Sequence, residues 1–306
     1  MVAQVLVALG GAVVRVTGSG LGCPTWPECA PGSMFPVEHP ELGQVHQWIE
    51  FGNRLLGVGV GVVAAIAFLV AWVGRPRRRR FLLLAATMPL GVLAQGVVGG
   101  FTVLMGLEWW TVALHFLPSP VLVWCAVLLA AAANEGDGPA RWHAPRPLLV
   151  ATAVVLGAVL VSGTLVTGAG PHAGDAGTPR LALPVSVLAQ VHADLLFLFL
   201  GLVVALGFVA RNRRYPLLVA AVLAQAVVGV VQYRIGVPIV LAALHVLGAM
   251  LTVAALAAVW TASRERGVLD VPQHEPGLGG VGGEDQEPVS VVAVDDRHPD
   301  AGPAQA

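Results

Sequence analysis

The chain has 306 residues, of which 56% are hydrophobic and 11% are charged, and its formal net charge is −1. Several apolar runs exceed the roughly 18 residues that a membrane-spanning helix requires, which excludes an ordinary soluble domain. The arginines form short clusters beside apolar segments and lack interleaved aromatic residues, a pattern that argues against binding to nucleic acid.

The apolar segments predict an all-α integral membrane protein with eight transmembrane helices. The first is short, because its length of about 24 Å is less than the roughly 30 Å of a bilayer's hydrocarbon core. A cleaved signal peptide is the alternative for this segment, but no basic residue precedes its apolar run. We therefore expect the true start to lie upstream of Met1. The predicted helices are 1–16, 46–73, 81–104, 109–133, 147–169, 184–210, 216–233 and 238–262.

Arginines concentrate in the loops that follow the second, fourth, sixth and eighth predicted helices. The positive-inside rule places these loops and both termini in the cytoplasm, and the loop 17–45 outside. The segment 264–306 is rich in Gly, Pro, Asp and Glu without a period, which predicts a disordered cytoplasmic tail. The clustered arginines are Arg75, Arg77, Arg78, Arg79, Arg80, Arg141, Arg146, Arg211, Arg213, Arg214, Arg264 and Arg266.

The sequence contains an internal repeat. Leu93–His115 and Leu223–His245 share Leu-Ala-Gln at the start and a histidine at the end, at the same spacing. Matching segments lie four helices apart, so the halves are expected to be parallel repeats about an axis along the membrane normal. We expect a four-helix bundle over 1–133, a cytoplasmic linker over 134–146 and a second bundle over 147–263. Further matched pairs are 44–46 with 190–192, and 16–20 with 166–170.

Four histidines occupy matching places in the two halves: His46, His115, His192 and His245. Each lies within about two turns of the outer end of an even-numbered helix, so all four share one depth in the membrane. Ionisable groups inside a bilayer usually mark a functional site, although an interfacial histidine bonded to a neighbour is the alternative for any one of them. Histidines from facing helices suit the two axial positions of a haem iron. Zinc is the weaker interpretation, because no HxxxH or CxxC spacing occurs within a span.

The second helix begins with HQWIEFGNR, which places His46, Glu50, Asn53 and Arg54 on one helical face. One interpretation is an internal Glu50–Arg54 ion pair that only neutralises both charges. The other places Glu50 in a reactive site and Arg54 against an anionic group such as a haem propionate. The second half has Asp194 but no counterpart of this pair, which predicts a reactive N-terminal pocket and an electron-carrying C-terminal pocket.

The loop CPTWPEC contains two of the three cysteines, Cys23 and Cys29. Outside the cell these thiols can oxidise, and a disulfide can close the small loop if Pro24 and Pro27 turn the chain back. A structural clip and a redox role both remain open. Cys125 stands alone within a helix and is expected to contribute to packing. Three further histidines are expected at the surface: His39, His143 and His172.

These motifs together resemble the haem A synthase family, and its actinobacterial type in particular, over residues 1–262. The stretch VTGSGLGCPTWPEC is the most specific part of the resemblance. It implies oxidation of the methyl group at pyrrole carbon eight of haem O to a formyl group, giving haem A for cytochrome c oxidase. It further implies a haem b in the C-terminal bundle with His192 and His245 as axial ligands, and haem O as substrate beside His115.

By the same resemblance, Glu50 matches the acidic residue that the family needs for catalysis, and Cys23 with Cys29 matches an outer-loop disulfide. Members commonly have a histidine three residues after the glutamate, where this chain has Asn53. His46 is the available substitute, although it lies roughly 10 Å from Asn53 along the helix. We expect His46 on the substrate-haem side; the alternative is His115 alone.

The expected location is the cell membrane, in contact with lipid. The expected partners are haem O, haem O synthase and cytochrome c oxidase assembly factors. One rival is a di-haem b-type electron-transfer subunit, which explains the four histidines equally well but not Glu50, Arg54 or the CPTWPEC loop. A second rival, a transporter with parallel repeats, predicts polar residues near the membrane midplane, where these helices have almost none.

Overall fold

The computed structural model describes residues 1–38, 43–210 and 212–267, and within them the chain is almost entirely helical. Two two-residue strands, β1 and β2, form an antiparallel pair. The elements are α1 (Val2–Val16), α2 (Gln44–Val73), α3 (Arg79–Leu104), α4 (Trp109–Phe116), α5 (Pro118–Ala132), β1 (Arg141–Trp142), α6 (Arg146–Ala169), α7 (Val185–Val209), α8 (Tyr215–Arg234), α9 (Ile239–Ala262) and β2 (Arg264–Glu265).

The described helices include seven segments that are long and apolar enough to cross a membrane. Large apolar side chains on their outer faces are exposed, such as Phe197 at 70% and Phe208 at 78%. An exposed apolar surface of this extent matches a lipid environment. The protein is therefore a multi-pass membrane protein. α1 is a shorter apolar helix of 15 residues, so a crossing by this helix stays a prediction.

The predicted helix over 109–133 is interrupted once. α4 and α5 together form one apolar span, Trp109–Ala132, with a break at Leu117. Pro118 begins α5, and because proline has no N–H it cannot donate the hydrogen bond that would continue α4. The break therefore follows directly from the sequence.

The strand pair corrects the predicted start of the tail. β2 lies within the segment expected to be disordered, yet Arg264 and Glu265 pair with β1. The N–H of Gly136 also donates to the carbonyl of Gly267 at 2.7 Å. Order therefore extends beyond residue 263, because the chain after α9 binds back to the linker between α5 and α6. The rest of the predicted tail, 268–306, lies outside the described residues.

Helix packing joins the two halves of the sequence. The neighbouring pairs are α1–α2, α2–α3, α3–α5, α6–α7 and α8–α9, while α1–α9, α5–α9 and α4–α6 connect the halves. A single buried apolar cluster extends from α1 and α5 into α6–α9, with Phe199, Leu206, Leu218 and Leu256 each at most 1% exposed.

The two ends of the helices differ in chemistry. The end that holds the α1–α2, α3–α4, α6–α7 and α8–α9 loops carries the cysteine pair, and we call it the disulfide end. There the N–H of Gly20 donates to the carbonyl of Gly174 at 2.8 Å, and Arg15 donates to the carbonyl of Thr167 at 2.7 Å. The opposite end carries the arginine clusters and β1–β2, and we call it the arginine end.

Candidate functional site

His192 of α7 and His245 of α9 face each other across the C-terminal half. Their ring centres lie 6.5 Å apart with an interplanar angle of 68°. A metal–imidazole bond of about 2 Å on each side, added to the half-widths of both rings, requires ring centres roughly 6–7 Å apart. The separation therefore fits one iron held between the two rings.

The hydrogen bonds of His192 identify which ring nitrogen is free. Its Nδ1 lies 3.0 Å from the carbonyl oxygen of Val159 and 3.0 Å from the hydroxyl of Ser162. A carbonyl only accepts, so Nδ1 carries the proton and donates it. The Nε2 atom is then unprotonated, with a lone pair available to a metal, as in histidine ligands whose other nitrogen is fixed by the protein.

Glycines of neighbouring helices lie against both rings. A methyl group on Gly163 of α6 would lie 3.2 Å from Cε1 of His192, and one on Gly229 of α8 would lie 3.2 Å from Cε1 of His245. The Nδ1 atom of His245 is buried and has no hydrogen-bond partner among the described residues. This closely packed, apolar setting with few polar partners suits the ligands of a buried haem better than a solvated metal site.

In the N-terminal half, the hydroxyl groups of Thr17 and Ser19 determine the hydrogen bond that Nδ1 of His46 makes. Thr17 donates its hydroxyl proton to the carbonyl of Val13 at 2.7 Å, so Ser19 must donate to Thr17, 2.8 Å away. The Ser19 oxygen then accepts from Nδ1 of His46 at 3.0 Å. His46 therefore donates through Nδ1, as His192 does, although a different serine supports it.

Glu50 and Arg54 hold the CPTWPEC loop onto α2. Glu50 is 5% exposed, and its Oε2 accepts from the backbone N–H of Cys23 at 2.7 Å while Oε1 pairs with Arg54 at 2.7 Å. Arg54 also donates to the carbonyls of Cys23, Thr25 and Glu28 at 2.8–3.1 Å. The expected internal ion pair is thus present, and it has a further role: Arg54 clamps the loop and orients Glu50.

The same loop reaches the helix that supports His115. Cys23 and Cys29 form a disulfide with a Cα–Cα distance of 4.3 Å, as predicted. The ring of Trp26 packs directly on Gly100 of α3. One residue earlier, a methyl group on Gly99 would lie 2.8 Å from Cε1 of His115. The structure therefore connects Glu50, the disulfide loop and His115 through continuous contacts at the disulfide end.

Other predicted residues have mixed outcomes. Among the described residues the rings of His192 and His245 lie 6.5 Å apart in an edge-on arrangement, and no such ring contact joins His46 to His115. Asn53 lies against α1: its Oδ1 is next to Gly10 and has no hydrogen-bond partner within the described ranges.

The three histidines that were predicted at the surface differ in their exposure. His143 is exposed as predicted, whereas His172 is only partly exposed. His172 is partly buried because its Nε2 bonds to the carbonyl of Val237 at 2.8 Å. His39 and Arg211 lie outside the described residues.

Sequence reasoning missed the residues that support the histidines. Ser19 and Ser162 are not at equivalent positions of the repeat, so the repeat carries no signal for them. Gly99 and Gly229, by contrast, each precede the matching histidine by the same number of residues, and this recurrence identifies them once the repeat is aligned. Across residues 1–38, 43–210 and 212–267, no group of three or more His, Cys, Asp or Glu side chains is arranged to hold a metal ion.

A family model described as cytochrome oxidase assembly protein, COX15-CtaA, matches residues 1–179, which is more than half of the 306-residue chain. The chain belongs to this family.

Relatives of this COX15-CtaA member include a protein of Shouchella clausii named Heme A synthase, which is 33% identical over 141 residues, 46% of this chain and 45% of the relative. Another of that name, from Halalkalibacterium halodurans, is 29% identical over 78% of this chain and 84% of the relative. A third, from Rhizobium etli, is 26% identical over 83% of this chain and 85% of the relative. The chain thus spans about half the length of the first of these relatives and most of the other two. The predicted family is confirmed, and the actinobacterial type stays a prediction.

Proposed function

We propose that this protein is a haem A synthase, an oxidoreductase that converts the C8 methyl group of haem O into a formyl group to make haem A for cytochrome c oxidase. The observation that carries the proposal is the combination of a bis-histidine pair in one half with a buried, clamped carboxylate in the other. Family membership and the names of the relatives support it.

We further propose eight spans in two bundles, with bundles over 1–133 and 147–263 and a linker over 134–146. The helix contacts support this division. When α1, α2, α3 and α4/α5 are matched with α6, α7, α8 and α9, most helix contacts have a counterpart. α1–α2 corresponds to α6–α7, α3–α5 to α8–α9, and α1–α9 to α6–α4, while α5–α9 corresponds to itself. The extensive α2–α3 contact has only a small counterpart in α7–α8. Contacts that interchange in this way are what parallel repeats produce.

In the C-terminal bundle, His192 and His245 would hold haem b through Nε2. When bound there, this haem would supply one-electron transfer. The carbonyl of Val159 and the hydroxyl of Ser162 fix the tautomer and orientation of His192. Gly163 and Gly229 allow both rings to lie close to the neighbouring helices.

In the N-terminal bundle, we propose that haem O binds as substrate at a site to which His115 and His46 both belong. Glu50 is the catalytic candidate, because it is the buried carboxylate that the disulfide loop and Arg54 hold in place. Its role would be to accept a proton or to stabilise positive charge at the methyl carbon. Arg54 positions Glu50 and the loop through its hydrogen bonds; a contact between Arg54 and a haem propionate stays a prediction.

The proposed orientation places the arginine end and both termini in the cytoplasm of a cell whose plasma membrane holds the protein. The disulfide loop then lies on the oxidising outer side, where a disulfide persists. The remaining proposed partners are haem O synthase, which would deliver the substrate, and cytochrome c oxidase assembly factors, which would receive the product.

The test is chromatography with mass analysis of haems extracted from membranes of a haem-O-making host, with and without this protein. We expect haem A only when the protein is present. Glu50→Gln is expected to retain haem b while haem O or a half-oxidised product accumulates, and the matched control Glu108→Gln, at the same end of the helices, should make haem A normally. Full haem A production by Glu50→Gln would remove Glu50 from the mechanism.

The alternative, a di-haem electron-transfer subunit, rests on the same pair His192–His245. It predicts bis-histidine haem in the purified protein with no haem A under any condition that supplies an electron donor. That result would overturn the synthase proposal and leave the C-terminal haem site intact.

A further inference from the structure

A cavity of about 540 Å³ opens at the arginine end, beside the start of α3. Its walls have two chemistries. Arg79, Arg80, Arg264 and the carboxylate of Asp137 line one part, and Leu83, Leu84, Thr87 and Leu128 line another. The leucines lie one or more turns into the membrane-spanning helices α3 and α5, and Leu83 is 59% exposed on the outer surface of the bundle. The cavity thus runs from a basic rim into a surface that faces lipid.

Positive charge at this cavity exceeds negative charge. Glu135 is shared by three arginines: it pairs with Arg80 at 2.6 Å and lies 3.7 Å from Arg264 and 3.9 Å from Arg266. The other nearby carboxylate, Asp137, accepts only a weak bond at 3.4 Å from the backbone N–H of Arg80.

Two further arginines belong to the same region. The Arg78 guanidinium donates hydrogen bonds to the carbonyls of Ala132, Ala133 and Glu135. Arg79 is exposed and has no ion pair among the described residues. Five arginines therefore accompany two acidic side chains.

The guanidinium of Arg264 is the least satisfied of these groups. Its side chain is 7% exposed, and its Nε and Nη2 atoms are buried without a hydrogen-bond partner in the described part of the chain. Burial lowers the pKa of Arg264, and so do Arg80 and Arg266, while Glu135 opposes them. A buried guanidinium with unused donors is costly, and an anion supplying oxygen acceptors would relieve that cost.

We propose that this cavity binds one anionic phospholipid, with its phosphate among Arg79, Arg80 and Arg264 and an acyl chain along Leu83, Leu84 and Leu128. Basic pockets at the cytoplasmic ends of transmembrane helices are suited to anionic headgroups. The start of α3 adds a favourable helix dipole, because the cavity lies at the N-terminal end of that helix. The apolar wall distinguishes a lipid from a free phosphate ion, which would gain nothing from leucines.

The bound lipid would also connect separate segments of the chain. Arg79 and Arg80 begin α3, whereas Arg264 belongs to β2, which pairs with the linker strand β1. A phosphate between them would join α3 to the chain that follows α9. This inference is independent of the haem chemistry, so it stands or falls separately from the proposed function.

The test is native mass spectrometry of the full-length protein in detergent, titrated with dioleoylphosphatidylglycerol, dioleoylphosphatidylcholine or inorganic phosphate. We expect saturable binding of one phosphatidylglycerol and weaker binding of phosphatidylcholine. Arg79→Gln is the informative variant, because Arg79 is exposed and its replacement should not disturb folding. One lost arginine contact is expected to weaken phosphatidylglycerol binding about fivefold or more.

The matched control is Arg75→Gln combined with Arg77→Gln. It removes two charges from the same loop, and neither residue lines the cavity. If only general surface charge attracted the lipid, this control would lose more affinity than Arg79→Gln, and that result would overturn the site. Equal binding of phosphatidylcholine would overturn the anionic headgroup, and inorganic phosphate binding as tightly as phosphatidylglycerol would overturn the lipid.

Discussion

Replacing Gly163 with alanine tests the haem b site without touching a proposed ligand. The new methyl group would lie 3.2 Å from Cε1 and 3.5 Å from Nδ1 of His192, whereas carbon atoms prefer about 3.5–4.0 Å. The ring must therefore retreat by a few tenths of an ångström. That shift strains the Nδ1 hydrogen bonds and the 6.5 Å separation from His245.

Overpacking of this kind typically costs about 1–3 kcal/mol. If the cost is borne by the haem-bound state, haem b affinity falls by about 5- to 150-fold. Alanine in place of glycine favours the helix by up to about 1 kcal/mol, which offsets part of that cost in the fold itself. The control is Gly157→Ala in the same helix, where a methyl group has nothing within 4 Å.

The assay is the amount of haem b per purified protein, with the bis-histidine absorption spectrum and the thermal unfolding midpoint. We expect Gly163→Ala to lose haem b or to show an altered spectrum while Gly157→Ala retains both. Equal haem content and identical spectra in the two variants would refute either the ligand role of His192 or the supporting role of Gly163.

Two further predictions concern the groups that support the site. Arg54→Gln removes the ion pair to Glu50 and the hydrogen bonds to three loop carbonyls, so limited proteolysis should cut the disulfide loop faster and the unfolding midpoint should fall. The control Arg75→Gln should behave as the unchanged protein, and a loop that stays equally protected in Arg54→Gln would contradict the clamp. Ser162→Ala leaves the carbonyl of Val159 as acceptor for His192, so we expect haem b to stay bound with a shifted reduction potential. Ser19→Ala removes the hydrogen-bond acceptor of His46, so the affinity for added haem O should fall, and by more than the affinity for haem b falls after Ser162→Ala. An unchanged haem O titration would exclude His46 from the substrate side.

Much of the architecture was readable from the sequence because it depends on local composition. The positions of the transmembrane helices follow from the apolar runs that are long enough to cross a bilayer. For the seven long spans, the observed helix ends differ from the predicted ones by at most two residues. The break before Pro118 has an equally local cause, since proline lacks the N–H that a continuing helix needs. The repeat identified the four histidines, because duplicated segments keep their spacing.

The tertiary structure alone decided how distant residues combine. His192 meets His245, and its tautomer depends on Val159 of another helix. Arg54 holds the disulfide loop through its carbonyls, and that contact depends on where the loop lies in the fold. The pairing of β1 with β2 joins segments more than a hundred residues apart. Such contacts depend on how whole helices pack, and packing is not encoded in the hydrophobic pattern of any single segment, because most lipid-facing and most buried positions in these spans are apolar alike.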